Sequence, residues 1–261
     1  MNAVDVPVVR EKLSFPNRHG EMLSALLEKP ESGVRAYALF AHCFTCGKNI
    51  GTATRISRAL AARGFAVLRF DFTGLGSSEG DFANTNFSSN IDDLVAAADY
   101  LRENYRAPDV LIGHSLGGAA VIAAASRIPD ARAVVTIAAP SDPGHMRYLL
   151  RDRVEEINEK GSARVEIGGQ PFTITRQFLE DVAEHSLDEA LQHLKKALLI
   201  LHSPQDELVD IEHAHHLFAM AHCPKSFISL DTADHLLSKQ VVAEYAAEAI
   251  AAWASRYIRE S

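Results

Sequence analysis

From Tyr37 onward the chain repeats one alternation: a short apolar run with no polar residue at every second place, then a helix-like amphipathic stretch. Such runs are Tyr37 to His42, Phe65 to Phe70, Val110 to Gly113, Arg132 to Ala139, Ala197 to Leu201 and Ser226 to Leu230. A strand with one wet face alternates; a strand buried on both faces does not. Strands of that kind separated by helices require a mostly parallel, twisted sheet with helices on both faces, an α/β fold of about eight strands.

The remaining patterns fill in that frame. An antiparallel hairpin is expected to open the chain, turning at Asn17-Arg18-His19-Gly20, with Met22 to Glu28 as its second strand. Ile50, Ala53, Ile56 and Leu60 form the stripe of one helix, which Gly64 ends. Ile91, Leu94, Val95, Ala98, Leu101 and Tyr105 form the stripe of another, with Ser88 or Ser89 as its cap. Residues 141–196 break the alternation: a charged helix from Tyr148 to Glu159, a hairpin around Val165 to Thr173, and a helix with a Ser186/Glu189 capping box that buries Leu187, Leu191 and Leu194. This stretch reads as a cap-like insertion over the carboxyl edge of the sheet, within a single domain spanning residues 1–261. A last helix is expected from Ser238 to Tyr257.

One turn carries chemistry. Gly113-His114-Ser115-Leu116-Gly117 joins a buried strand to an alanine-rich helix. A G-x-S-x-G turn there exposes a serine hydroxyl at the sheet edge beside a helix amino end, which favours developing negative charge. The five-residue pattern arises by chance about one time in ten in a chain of this length, so its weight depends on its companions. A serine needs a base to take its proton and a carboxylate to orient that base, and with this turn they follow in the order serine, acid, histidine. The loop after Leu201 offers Asp206, Glu207 and Asp210, and the loop after Leu230 offers His235. Both lie at carboxyl ends of strands, where open α/β sheets bind ligands.

Composition excludes other classes. A net charge of −8 with no lysine and arginine cluster argues against nucleic-acid or anionic-membrane surfaces. No apolar run reaches the ~18 residues of a membrane span, and Met1 to Leu13 mixes charges into what a signal peptide would keep apolar. Cys43, Cys46 and Cys223 are too few for a secreted disulfide scaffold, so a reducing, cytoplasmic location is expected. The glycine-rich loop Asp71 to Gly80 matches neither a phosphate-binding nor a dinucleotide spacing.

Taken together, Gly113 to Gly117, the D-x-x-G-x-G-x-S loop from Asp71 to Ser78, Asp206 with Val209, and Ala233-Asp234-His235 resemble the α/β-hydrolase superfamily over nearly the whole chain. His42 to Lys48 and the Asp71 to Asn86 segment resemble the members fused to an OsmC-type domain. No such domain is present, so the chain reads as an excised domain or a free-standing relative.

The resemblance implies Ser115 as nucleophile, His235 as general base and acid, and Asp206 as the orienting acid, chosen over Glu207 and Asp210 by its place in the motif. It also implies an oxyanion hole from the backbone N–H groups of Leu116 and Phe44, with Cys43 standing where glycine is commoner. The expected activity is a carboxylesterase-like cleavage of a small or short-chain ester through an acyl-enzyme, needing no cofactor. Thioesterase or peptidase chemistry on the same fold is the alternative. The expected partner is a small-molecule ester; an OsmC-type domain and a second copy of the chain are the candidate protein partners.

Four residues, Cys43, His114, Met146 and Tyr148, are candidates for the substrate pocket, together with Phe172, Phe178 and Leu179 of the insertion. A C-x-x-C pair at a strand-to-helix junction is also the setting of a redox dithiol, which gives Cys43 and Cys46 a second reading. His213, His215 and His216 lack the carboxylate or cysteine that would complete a metal site.

Overall fold

The computed structural model describes residues 7–167 and 169–258. Residues 1–6 of the amino-terminal stretch, Gly168 of the hairpin turn and residues 259–261 lie outside the described residues. An antiparallel hairpin opens the chain, β1 (Val8–Pro16) against β2 (Met22–Pro30), in register from Val8 with Pro30 to Pro16 with Met22. The alternation follows as β3 (Ala36–Ala41), α1 (Gly51–Ala61), β4 (Phe65–Phe70), α2 (Phe87–Asn104), β5 (Val110–His114), α3 (Leu116–Ala124) and β6 (Ala133–Ile137).

Between β6 and the next sheet strand lie α4 (His145–Leu149), α5 (Arg151–Lys160), the hairpin β7 (Ser162–Ile167) and β8 (Gln170–Thr175), α6 (Arg176–Glu184) and α7 (Asp188–Gln192). The chain closes with β9 (Ala197–His202), α8 (Ile211–Met220), β10 (Lys225–Ser229) and α9 (Gln240–Ala254).

The main sheet has eight strands in the order β1-β2-β4-β3-β5-β6-β9-β10. β1 and β2 run antiparallel at one end, and the six from β4 to β10 are parallel. The unbroken apolar runs have a direct cause. Phe40, Val67, Ile112 and Val135 point to the face covered by Ile56 and Leu60 of α1 and Ala246 and Ile250 of α9. Their neighbours Leu39, Leu68, Leu111 and Val134 point to the face covered by Leu94 of α2, Val121 of α3 and Leu217 of α8. Each Leu or Ile so buried contributes about 2 kcal/mol of hydrophobic stabilisation. Among the described residues no helix is long and apolar enough to cross a membrane.

Local readings are corrected at three places. The cap of α2 is Asn86, whose side chain accepts from the Ser89 amide while Ser89 Oγ accepts from the Asn86 amide, so the expected serine is the reciprocal partner. The charged helix divides into α4 and α5 at Leu150, which is buried and turns out of helical geometry between them. The Ser186/Glu189 capping box does not form: the cap of α7 is Leu187, one residue later, and Ser186 Oγ accepts from the Asp188 amide at 3.3 Å instead. Leu187, Leu191 and Leu194 are nonetheless buried.

Candidate active site

Ser115 sits between β5 and α3 at φ 56°, ψ −129°, a conformation that costs a non-glycine residue about 1–3 kcal/mol. It is held by the Ser115 amide donating to the Ile137 carbonyl at 2.9 Å and by its own carbonyl accepting from the Gly118 amide at 2.8 Å. The turn fits only because its neighbours lack side chains. A Cβ on Gly117 would lie 2.4 Å from the His42 carbonyl oxygen and 2.5 Å from that of Ala41; one on Gly113 would lie 2.2 Å from the Gly117 oxygen. Backbone cannot retreat as a side-chain tip can. Gly117→Ala is therefore expected to destabilise the protein by about 3 kcal/mol, read as a fall in thermal midpoint of about 6–12 °C. An unchanged midpoint would contradict this packing.

The three candidate catalytic side chains meet at the carboxyl edge of the sheet. His235 Nε2 lies 3.0 Å from Ser115 Oγ, and His235 Nδ1 lies 2.8 Å from Asp206 Oδ2. Of the three carboxylates left open by the residues alone, Glu207 and Asp210 are exposed, and Asp210 caps α8 by accepting from the Glu212 amide. Asp206 is buried, and its other oxygen accepts from the amides of Leu208 and Val209, both at 2.9 Å. Burial pushes the Asp206 carboxyl up, but the His235 hydrogen bond and charge, with those two amides, outweigh it and hold the group below the usual carboxylate value. The His235 loop is pinned from α1, where Thr52 Oγ1 donates to the Leu236 carbonyl and Arg55 Nη2 to the Leu237 carbonyl at 3.0 Å.

Leu116 N–H is the first amide of α3 and so has no acceptor within its helix. Phe44 and Leu116 line one cavity of about 10 Å3, closed by Phe72, Leu75 and Phe82. The loop bearing Phe44 is tied down at its far end. Asp71 accepts from the Lys48 amide at 2.6 Å, pairs with the Lys48 ammonium, and accepts from the Ser77 amide at 2.9 Å, joining this loop to the glycine-rich one. Arg69, buried in β4, donates to the Lys48 carbonyl. The Phe44 ring stacks on Phe178 of α6 at 5.0 Å and lies 5.6 Å from Phe82, which meets Phe172 of β8 at 5.2 Å.

Cys43 and Cys46 are joined in a disulfide that closes around Phe44 and Thr45, while Cys223 is free. The turn after β3 sets the Cα atoms of the bonded pair 5.4 Å apart, which brings the two sulfurs together. Of the four pocket candidates only Cys43 lines the cavity. His114 is 1% exposed, its ring committed to the His235 carbonyl at 2.7 Å. Met146 is buried in the core, and Tyr148 is 61% exposed with Arg151 over its ring. Phe178 and Leu179 are buried and Phe172 partly so. His213, His215 and His216 go to three different partners, Ser141, Glu212 and Asp188.

Residues 38–260 match the sequence profile of the alpha/beta hydrolase family. The chain belongs to that family. Its fold superposes on the crystal structure of the esterase domain from a Rhodothermus marinus protein with a TM-score of 0.79 and 47% identity, covering 96% of this chain and all of that one. It is 28% identical over 207 residues to the mouse protein named palmitoyl-protein thioesterase ABHD10, mitochondrial, covering 77% of this chain and 68% of the relative. It is also 28% identical over 126 residues to human monoglyceride lipase, covering 48% of this chain and 41% of the relative. This α/β hydrolase thus has esterase, thioesterase and lipase relatives.

Proposed function

We propose that this hydrolase cleaves a carboxylic ester with a small or short acyl group, using Ser115, His235 and Asp206 as its catalytic triad. The observation that carries the proposal is the continuous line from Ser115 Oγ through both ring nitrogens of His235 to Asp206 Oδ2, at 3.0 and 2.8 Å. Ser115 Oγ attacks the carbonyl carbon as His235 Nε2 takes its proton. The oxyanion that forms accepts from the amides of Leu116 and Phe44, each worth about 3 kcal/mol in the transition state. His235 then gives the proton to the leaving alkoxide, and an acyl-enzyme remains on Ser115. Water, deprotonated by the same ring, releases the acid. The preference for short acyl groups is supported by the rings of Phe82 and Phe178, which crowd Phe44 on the side of the site where the acyl group would lie.

The test is a rate series over acetyl, butyryl, octanoyl and palmitoyl groups, each as a chromogenic ester and as a thioester, with Ser115→Ala as blank. Acetyl and butyryl esters are expected to be fastest. A maximum at the palmitoyl thioester would move the assignment to thioester hydrolysis, and equal rates in the blank would remove Ser115 from it.

The disulfide around Phe44 favours a second reading, a thiol redox role for Cys43 and Cys46 that acts on the same site. In a cytoplasmic setting, which stays part of this proposal, such bonds are mostly transient and redox-responsive. A dithiol reductant would supply two electrons and two protons, leaving Cys43 and Cys46 as thiols and itself as a disulfide. The freed loop would hold the Phe44 amide less firmly. Reduction, verified by thiol titration, is expected to lower kcat about tenfold, or ~1.4 kcal/mol of transition-state stabilisation. Full activity with both thiols titrated would leave the bond a structural tie only.

A further inference from the structure

Four strands hand the chain to the loops that build this site, and three of them, β3, β5 and β9, do so through a histidine. His42 follows β3 and precedes Phe44, His114 ends β5 and precedes Ser115, and His202 ends β9 ahead of Asp206. All three are buried, at 2%, 1% and 0% exposure. Each turns one ring nitrogen to a loop carbonyl: His42 Nδ1 to Cys43 at 2.8 Å, His114 Nε2 to His235 at 2.7 Å, and His202 Nε2 to Val209 at 2.8 Å. A carbonyl oxygen only accepts, so that nitrogen carries the proton. Among the described residues the other ring nitrogen of each, His42 Nε2, His114 Nδ1 and His202 Nδ1, has no hydrogen-bond partner. Protonating it would bury a charged donor with nothing to receive it. The burial and the bonding together fix one neutral tautomer in each ring.

We propose that His114, with His42 and His202 in the same role on the neighbouring loops, is a positioning residue: a neutral imidazole that donates to a loop carbonyl and so holds a catalytic group at hydrogen-bond distance. The proposal rests on the reading of Ser115, His235 and Asp206 given above. His114 acts most directly, because its acceptor is the backbone of His235 itself, 121 residues away in the chain.

The charged and titratable groups around these rings come from several elements. His114 faces the His235 ring at 5.1 Å, Asp206 and His42. His42 faces Lys48 and Asp71, with the Phe72 ring edge-on at 4.9 Å. His202 faces Asp206 at 3.7 Å, His235, Asp210 and, from α8, His213. Burial is the largest influence on all three and pushes each below the usual imidazole value, His114 to about 3 with the His235 charge as the next cause. Below about pH 6.5 the unfolded chain binds protons at these rings that the folded chain refuses. Stability contributed by the neutral rings is therefore full above that pH and declines as pH falls toward the folded values.

The experiment compares His114→Gln with His114→Leu. Glutamine keeps a donor of comparable reach; leucine keeps the bulk and loses it. His114→Leu is expected to lower kcat on an acetyl ester by ~10²-fold with KM within about twofold, because His235 drifts from Ser115. His114→Gln is expected to recover most of that loss. Unchanged kcat in the leucine variant, or equal loss in both, would overturn the proposal.

Nitrogen NMR of the wild-type protein gives a reading that needs no variant. At about pH 5 His114 is expected to remain the neutral Nε2–H tautomer, and an imidazolium signal for it would overturn the proposal. Phosphonate labelling of the wild type separates the two levels. Absence of label on Ser115 would overturn the triad reading and this proposal with it, whereas a labelled wild type beside an unaffected leucine variant overturns this proposal alone.

Discussion

Ser115→Ala is expected to lower kcat by about 10⁶-fold while leaving the thermal midpoint in place. The size follows from what the hydroxyl does in the proposed reaction. Without Oγ no acyl-enzyme forms, and His235 loses the group it deprotonates. What remains is water attacking a carbonyl held by the Leu116 and Phe44 amides, worth about 10³–10⁴ over the uncatalysed rate. The side chain contributes little to the fold. Its one bond among the described residues is to His235, and the backbone strain at φ 56° stays with alanine in its place. A variant that lost activity by unfolding would show it in the midpoint, and one that kept activity would leave the triad without its nucleophile.

Asp206→Asn is expected to cost about 10⁴-fold in kcat. Asp206 Oδ1 accepts from the Leu208 and Val209 amides, so an asparagine keeps its oxygen on that side and turns its NH2 toward His235 Nδ1. Two donors cannot face each other, so the ring must shift its proton to Nε2, and Nε2 then points an N–H at Ser115 where a lone pair is needed. The loop geometry survives because both amide bonds survive. Glu207→Gln and Asp210→Asn serve as controls: both residues are exposed and neither touches His235, so each is expected to keep kcat within about twofold. A large loss in Glu207→Gln with none in Asp206→Asn would reverse the acid assignment.

Much of the frame is legible without coordinates, because burial on both faces leaves a mark that no other strand type leaves. Phe65 to Phe70 is apolar except for Arg69, and β4 begins and ends on those residues. The exception is informative: Arg69 is buried and spends its guanidinium on Glu28 and on the Lys48 carbonyl. Short-range chemistry is legible too when its spacing is fixed, as at Gly113 and Gly117, whose missing side chains admit the Ser115 turn. Caps are less legible, since Asn86 and Ser89 both have the right chemistry and only the helix start decides which one leads.

What the sequence hides are bonds between a side chain and a distant backbone atom. Carbonyls carry no residue identity, so nothing near His114 announces that its acceptor is His235, and it reads as a pocket residue. His202 passes as the polar end of an apolar strand, and Lys48 as a loop lysine. The trace they leave is weak but real: a polar residue closing an otherwise apolar run, at the strand end that faces the site. The Cys43–Cys46 bond is hidden for another reason, since C-x-x-C spacing leaves open whether the two sulfurs can meet, and only the turn after β3, with the Cα atoms 5.4 Å apart, lets the bond close.

The most direct test of the triad reading is rapid-quench mass spectrometry of the protein reacting with p-nitrophenyl acetate. The tryptic peptide containing Ser115 is expected to gain one acetyl group within the first turnover, with no adduct in Ser115→Ala. Product released at the wild-type rate with Ser115 unmodified, or with the acetyl group on Cys223 or a lysine instead, would contradict it.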